Sequence, residues 1–159
     1  MVFETRAKEV SRSITRVRPG RPEETQALYE VWRASVVATH DFLTPEDLEF
    51  YAEMVRGQYL PEADLVVAVD GDDRPVGFMG VTGNNVDTLF VHPDWRGRGV
   101  GRLLLEQALE AADGPVLVDV NEQNGQAAGF YERMGFRRVG RSETDQCGKP
   151  YPLTHMQRD

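Results

Sequence analysis

Seven consecutive residues, Arg96-Gly97-Arg98-Gly99-Val100-Gly101-Arg102, bring three glycines and three arginines to one point of the chain. Glycines at 97, 99 and 101 allow a tight turn and let main-chain amides approach a ligand without side-chain obstruction. A helix starting at Val100 aims its unpaired N–H groups and the positive end of its dipole at the same point. The result is a site for phosphate or pyrophosphate built mostly from main chain, with Arg96, Arg98 and Arg102 adding charge. Two better-known phosphate motifs are excluded. A P-loop needs Lys-Ser or Lys-Thr after its last glycine, and the sequence contains neither pair. The dinucleotide pattern G-x-G-x-x-G needs glycine at position 102, which is Arg102. A glycine-rich corner between strand and helix can also be purely structural, so the loop alone leaves its ligand open.

Such a loop needs a strand before it and a helix after it. Thr88-Leu-Phe-Val91 is β-branched or bulky and apolar, and His92-Pro93 ends it, because proline cannot donate to a ladder. Beyond the loop, Val100, Leu104, Ala108 and Ala111 share one helical face, with Leu105, Leu109 and Ala112 beside them. Upstream, a first strand over 13–18 stops at Pro19-Gly20. Pro22 then opens a helix carrying an apolar stripe at Ala27, Leu28, Val31, Trp32, Ser35 and Val36. Thr44 as N-cap, Pro45 at the first position and Glu46 and Asp47 in the first turn open a second helix. Strands over 65–69 and 76–81 pair around the turn at 70–75, and Gly83-Asn84-Asn85 leads into the central strand. Downstream come a strand over 116–120, a short helix over 127–134 capped by Gly135, and a strand over 136–144. The last predicted element, 151–156, is an edge strand whose pairing Pro150 and Pro152 limit. This order predicts an α+β fold, an α/β sandwich with a mixed, mostly antiparallel central sheet flanked by helices. Residues 13–159 are expected to form one domain behind a polar leader at 1–12.

The whole-chain properties narrow the function. A length of 159 residues suits one domain with a real core. A net charge of −8 argues against nucleic acid as a partner and is compatible with a cationic acceptor such as an amine, although an acidic surface is more often a solubility feature. Cys147 is the sole cysteine, which excludes an intramolecular disulfide and a cysteine-rich metal site, and no metal is expected. No apolar run approaches membrane-spanning length, so a cytoplasmic protein without a membrane partner is the expectation.

A second motif follows the first: Asn124-x-x-Ala127-x-x-x-Tyr131-x-x-x-Gly135-Phe136. Together with R-x-x-G-x-G at 96–101, it resembles the paired signatures of the GNAT superfamily of N-acetyltransferases. Both occur in the expected order and secondary-structure context, and the resemblance covers nearly all of the chain from Ser13 onward. The stretches Ala38-Thr-His-Asp-Phe-Leu43 and Gly148-Lys-Pro-Tyr-Pro-Leu153 are similar to the small bacterial YjaB-like branch of that superfamily.

The resemblance implies transfer of an acetyl group from acetyl-CoA, a co-substrate needing no metal, to a primary amine that attacks the thioester directly. It assigns Arg96, Gly97, Arg98, Gly99, Val100, Gly101 and Arg102 to the pyrophosphate, and the main chain of Leu89, Phe90 and Val91 to pantetheine and thioester. Tyr131 becomes the general acid to the CoA thiolate. Asn124 either caps the short helix or contacts the pantetheine arm, and the two roles are compatible. Two residues compete as the base for the acceptor. Asp87 starts the central strand near the usual place of a glutamate base, and reads equally as a strand-entry turn acid. His40 has suitable chemistry near neutral pH and lies where the family builds its acceptor pocket, beside Asp41 and Phe42, although a solvated loop histidine is the competing reading. His92, before Pro93, reads as a turn residue. Trp32, Tyr51 and Tyr59 line the acceptor site or belong to the core, and Lys149-Pro-Tyr151 closes over it. The implied partners are a small-molecule or peptide amine and, as a monomer or homodimer, at most a second copy of the chain. A catalytically silent acyl-CoA sensor on the same fold is the alternative, and an unrelated nucleotide-binding domain a second.

Overall fold

The computed structural model describes residues 16–159, so the expected leader and the beginning of the first strand lie outside the described residues. Four strands, β1 (Arg16–Pro19), β2 (Leu65–Val69), β3 (Pro75–Thr82) and β4 (Asn85–Val91), make one half of a sheet. Strands β5 (Val116–Asn121), β6 (Arg137–Ser142) and β7 (Leu153–Arg158) make the other. The strands form one seven-stranded sheet in the order β1-β2-β3-β4-β5-β7-β6. All neighbours are antiparallel except β4 and β5. Helices α1 (Thr25–Thr39) and α2 (Pro45–Met54) pack on one face, α3 (Val100–Ala111) and α4 (Gly125–Arg133) on the other. The architecture is the α+β arrangement that the sequence predicts.

Strand β2 shows why the apolar pattern specifies two layers. Leu65, Val67 and Val69 face the α1 layer with Leu28, Val31, Trp32 and Phe78, while Val66 and Ala68 face the α3 layer with Leu104, Leu105 and Met79. Covered on both faces, the strand is an unbroken run of apolar residues rather than an alternation. Thr44 caps α2 as expected, its hydroxyl accepting from the Asp47 amide at 3.1 Å.

The C-terminal strand departs from expectation. It runs from Leu153 to Arg158 and lies inside the sheet between β5 and β6, with Leu153, Thr154 and Met156 buried. Pro150 and Pro152 precede the first paired residue, so neither interrupts a ladder, and β6 takes the edge.

The pairing of β4 with β5 covers only Asn85↔Leu117 and Val86↔Val118. Beyond these the strands diverge, leaving a wedge. Leu89, Phe90 and Val91 keep partners on β3 but have none on the β5 side. Asp87 is the extra residue of a bulge, since Gly80 pairs with Thr88 and Val81 with Val86. A bulge re-aims side chains at the place where pairing ends.

At the far edge, Arg18 grips Glu24 through two bonds of 2.9 and 2.7 Å, tying β1 to the turn into α1. The guanidinium holds the Glu24 carboxyl below the usual glutamate range. A carboxyl lowered on folding stabilises the native state above its unfolded value, and this support fades as pH falls through the folded value. Glu24→Gln is therefore expected to lower Tm by several degrees above about pH 5 and by little below about pH 3, as thermal melts across that range would record.

Candidate active site

The wedge and the loop into α3 open on a cleft of about 800 Å³. Leu89, Phe90 and Val91 form its floor, and Arg96, Gly97 and the stretch 99–102 form its rim. Gly97 and Gly99 have φ of +71° and +81°, left-handed values that oppose side chains, and a Cβ added at either meets nothing within 4 Å. The conformation requires glycine at both, and the main chain there faces open space. No side chain caps α3, so its first-turn N–H groups stand without a side-chain partner. Gly101 also lines the cleft. A Cβ there would lie 3.4 Å from the Phe130 ring, an ordinary contact, so neither packing nor backbone conformation requires glycine at this position.

The three arginines of the loop separate. Arg96 lines the cleft and donates to Gln126 Oε1 at 3.2 Å. Arg102 lines it and pairs with Glu106 at 3.0 Å. Arg98 does not; its guanidinium lies 5.0 Å over the Trp95 ring. Set between two left-handed glycines, its backbone turns the side chain back onto an aromatic face that attracts a cation. Arg133 and Arg158 join the lining, and sequence reasoning missed both. Arg158 comes from the strand misplaced at the edge, and Arg133 ends a short helix with no spacing signal. Val100 is buried and lines the cleft as well.

A second cavity of about 660 Å³ lies toward α1 and α2. Trp32, Tyr51, Tyr59 and Tyr151 contribute to its walls, so the aromatic residues serve both core and cavity. After α2 the helix continues as a π turn, Val55–Tyr59, which the sequence reading did not anticipate. Such a turn, often found at functional sites, brings the Tyr59 hydroxyl to 2.7 Å from Thr88 Oγ1. Gly80 makes room for it, since a Cβ there would be 2.2 Å from that oxygen. Tyr51 donates to Asp145, whose other carboxylate oxygen accepts from the amides of Cys147 at 2.9 Å and Lys149 at 3.0 Å. Tyr151 donates to Asp47, and Lys149 Nζ sits 2.8 Å from Asp47 Oδ1. These bonds pin the segment 145–151 across α2, with Tyr151 facing the cavity and Lys149 bound to Asp47 beside it.

The two cavities meet. His40, Leu89, Phe90, Asn124, Ala127 and Tyr131 line both. Tyr131 is buried, held edge-on by Phe130 at 5.1 Å and Phe136 at 5.3 Å between ring centroids. No group among the described residues hydrogen-bonds its hydroxyl, and burial raises its pKa above the ordinary phenol value. The proton therefore stays on the oxygen. Asn124 caps α4, its Oδ1 accepting from the Ala127 amide at 3.2 Å. His92 behaves as a turn residue, Nδ1 accepting from the Asp94 amide at 3.1 Å.

His40 is half-buried at the C-terminal end of α1. Burial pushes its pKa down to about 4, with the Arg96 charge adding to the effect and Asp41 opposing it. The ring is thus neutral at pH 7, not poised near neutrality as the sequence suggests. Its tautomer follows from proton accounting. Thr39 Oγ1 donates its one proton to the Ser35 carbonyl at 2.8 Å, so at 2.7 Å from His40 Nδ1 it must accept. Nδ1 carries the hydrogen, and Nε2 is left as an acceptor without a partner among the described residues. Asp87 is exposed and lines only the second cavity, its carboxylate accepting from Thr82 and Asn85 side chains. Among the described residues there is no group of three His, Cys, Asp or Glu placed to hold a metal, and no helix long and apolar enough to cross a membrane.

Comparison with known proteins places this geometry. The family described as "Acetyltransferase (GNAT) domain" matches residues 36–159. The peptidyl-lysine N-acetyltransferase YjaB of Salmonella typhimurium is 51% identical over 140 residues, covering 88% of this chain and 95% of that protein. The solution structure of apo YjaB from Escherichia coli superposes with a TM-score of 0.85 at 49% identity, over 91% of this chain and 97% of the other. The PaiA N-acetyltransferase of Thermoplasma acidophilum, solved with coenzyme A, shares the fold at a TM-score of 0.75 and 19% identity, over 92% and 99% of the two chains.

Proposed function

Because the chain belongs to the GNAT acetyltransferase family, we propose that it moves an acetyl group from acetyl-CoA to the side-chain amine of a peptide lysine. Family membership removes the unrelated nucleotide-binding domain as a reading. The observation that carries the proposal is the position of Tyr131, its hydroxyl without a hydrogen-bond partner among the described residues, where an arginine-and-glycine cleft meets an acidic, aromatic cavity.

The cleft fits the cofactor's shape and charge. The open main chain at Gly97 and Gly99, the uncapped first turn of α3 and the side chains of Arg96 and Arg102 form a cradle for a diphosphate. The coenzyme A carried by the Thermoplasma relative supports this reading. Main-chain groups of Leu89, Phe90 and Val91, unpaired on the β5 side, suit the pantetheine arm. Acetyl-CoA supplies an activated acyl group, and the chain's residues position and protonate around it. Tyr131 holds a proton where negative charge grows on the leaving sulfur, either transferring it or donating a hydrogen bond. His40 offers Nε2 as an acceptor to the incoming amine. An imidazole this hard to protonate orients a neutral amine through N–H···N and does not strip an ammonium.

Two measurements follow. Thiol release with a panel of lysine peptides, and mass spectrometry of the products, should show acetylated lysine; release that never exceeds hydrolysis with any amine overturns the proposal. The pH profile tests His40. If the amine must arrive neutral, kcat/KM should rise about tenfold per unit from pH 7 to 9, following a lysine pKa of about 10.4, with no inflection near 6.5. His40→Ala should lower kcat/KM roughly 100-fold at each pH while leaving coenzyme A affinity unchanged. An inflection near 6.5 that the substitution removes would instead make His40 a titrating base.

A further inference from the structure

The two cavities carry opposite charge. Arg96, Arg102, Arg133 and Arg158 line the first against one acid, Glu106. The second is lined by Asp87, Asp119 and Asp145 and, among the described residues, by no arginine or lysine. Asp145 is committed to the fold through Tyr51 and two backbone amides. Asp87 and Asp119 are different. Each follows the last residue that pairs between β4 and β5, Val86 on the one strand and Val118 on the other, so both stand where the two strands begin to part. Neither is paired with lysine or arginine among the described residues. Asp87 is held by Thr82 and Asn85, and Asp119 by Gln146 and by His155, whose far nitrogen is 2.7 Å from Ser142 Oγ. These contacts fix the orientation of both carboxylates. Both carboxylates line the same cavity, so two negative charges are brought to one space.

A second observation points to a ligand. Asn121, at the end of β5 and itself partly buried, lines the same cavity, and its Oδ1 is a buried acceptor with no hydrogen-bond partner among the described residues. An orphaned buried acceptor is costly, and such groups call for a donor. Acidic charge and a donorless oxygen both favour a cation with N–H groups.

We propose that Asp87 and Asp119, with Asn121, form a second cation subsite in the acceptor cavity, apart from the junction at His40 and Tyr131. The preferred acceptor is then an amine that carries another positive group. This rests on the second cavity being the acceptor site, and it assigns Asp87 to recognition instead of proton removal. A basic neighbour in a lysine peptide and the far end of a diamine offer the same chemistry.

The test reads binding, so that it does not depend on turnover. Affinities are measured by calorimetry with coenzyme A bound, for lysine peptides differing only in a flanking Arg or Glu, and for 1,4-diaminobutane against butylamine. The dication of either pair should bind at least tenfold more tightly than its comparator. The pair showing the preference identifies the source of the second charge. Asp87→Asn and Asp119→Asn should each shrink the ratio at least threefold, and the double variant should bring it near one. Because the readout is a ratio within one protein, a general loss of structure lowers both affinities and leaves it unmoved. Equal affinity for Arg- and Glu-flanked peptides together with equal affinity for diamine and monoamine overturns the subsite, as does a ratio unchanged in the double variant. Charge-selective binding without acetyl transfer would leave the subsite standing and overturn the proposed reaction.

Discussion

Gly99→Val is expected to abolish coenzyme A binding, lowering affinity at least about 100-fold, close to 3 kcal/mol. Two effects combine at this residue. Its φ of +81° is a conformation that a β-branched side chain resists, at a cost of about 1–2 kcal/mol, so the turn before α3 must distort. Any side chain that does fit points into space that the protein leaves open, because a Cβ there touches nothing within 4 Å. That space is where the diphosphate is proposed to sit. Calorimetry with coenzyme A, run beside a thermal melt, separates the two contributions. Gly99→Ala should lose affinity too, with a smaller change in Tm, since alanine tolerates the conformation better than valine. Normal coenzyme A binding by a folded Gly99→Val protein would mean that the loop does not hold the cofactor.

Tyr131→Phe has the second large effect: a fall in kcat of about 100- to 1000-fold with coenzyme A affinity nearly unchanged. The ring would keep its edge-on contacts with Phe130 and Phe136, so the pocket keeps its shape. The hydroxyl has no protein partner among the described residues, so its removal leaves no stranded group and Tm should stay level or rise slightly. Burial raises the phenol pKa, hence ionisation of Tyr131 causes no loss of rate on the alkaline side below about pH 10. Single-turnover measurements isolate the chemical step. Unaltered turnover would show that the departing sulfur takes its proton from solvent.

What the sequence made legible was local. The loop at 96–102 and the Asn124–Phe136 motif declare themselves through residue spacing, and the Thr44 cap and the apolar run of β2 through pattern alone. The wedge was hidden, because strand pairing joins residues far apart in sequence and nothing at 88–91 announces that β5 turns away. The same blindness put the last strand at the edge and so lost Arg158 from the cleft. Arg98 falls within the loop that the resemblance assigns to the pyrophosphate, whereas two left-handed glycines decide where a side chain between them points. His40 was recognisable as a candidate, but its neutral state and its tautomer depend on burial and on the Thr39 hydroxyl's bond to Ser35, and neither is a property of the residue itself.

The short register shared by β4 and β5 bears on how such an enzyme can change. The groups left without partners there belong to the backbone, and substitution cannot delete a peptide N–H or carbonyl short of proline. The part of donor recognition proposed for Leu89, Phe90 and Val91 is thereby insulated from drift in the identity of those side chains, unlike the part proposed for Gly97 and Gly99. The second cavity, proposed to read the other reactant through the side chains of Tyr51, Asp87 and Asp119, has no such insulation. New specificities can arise there by single replacements while the donor continues to bind as before.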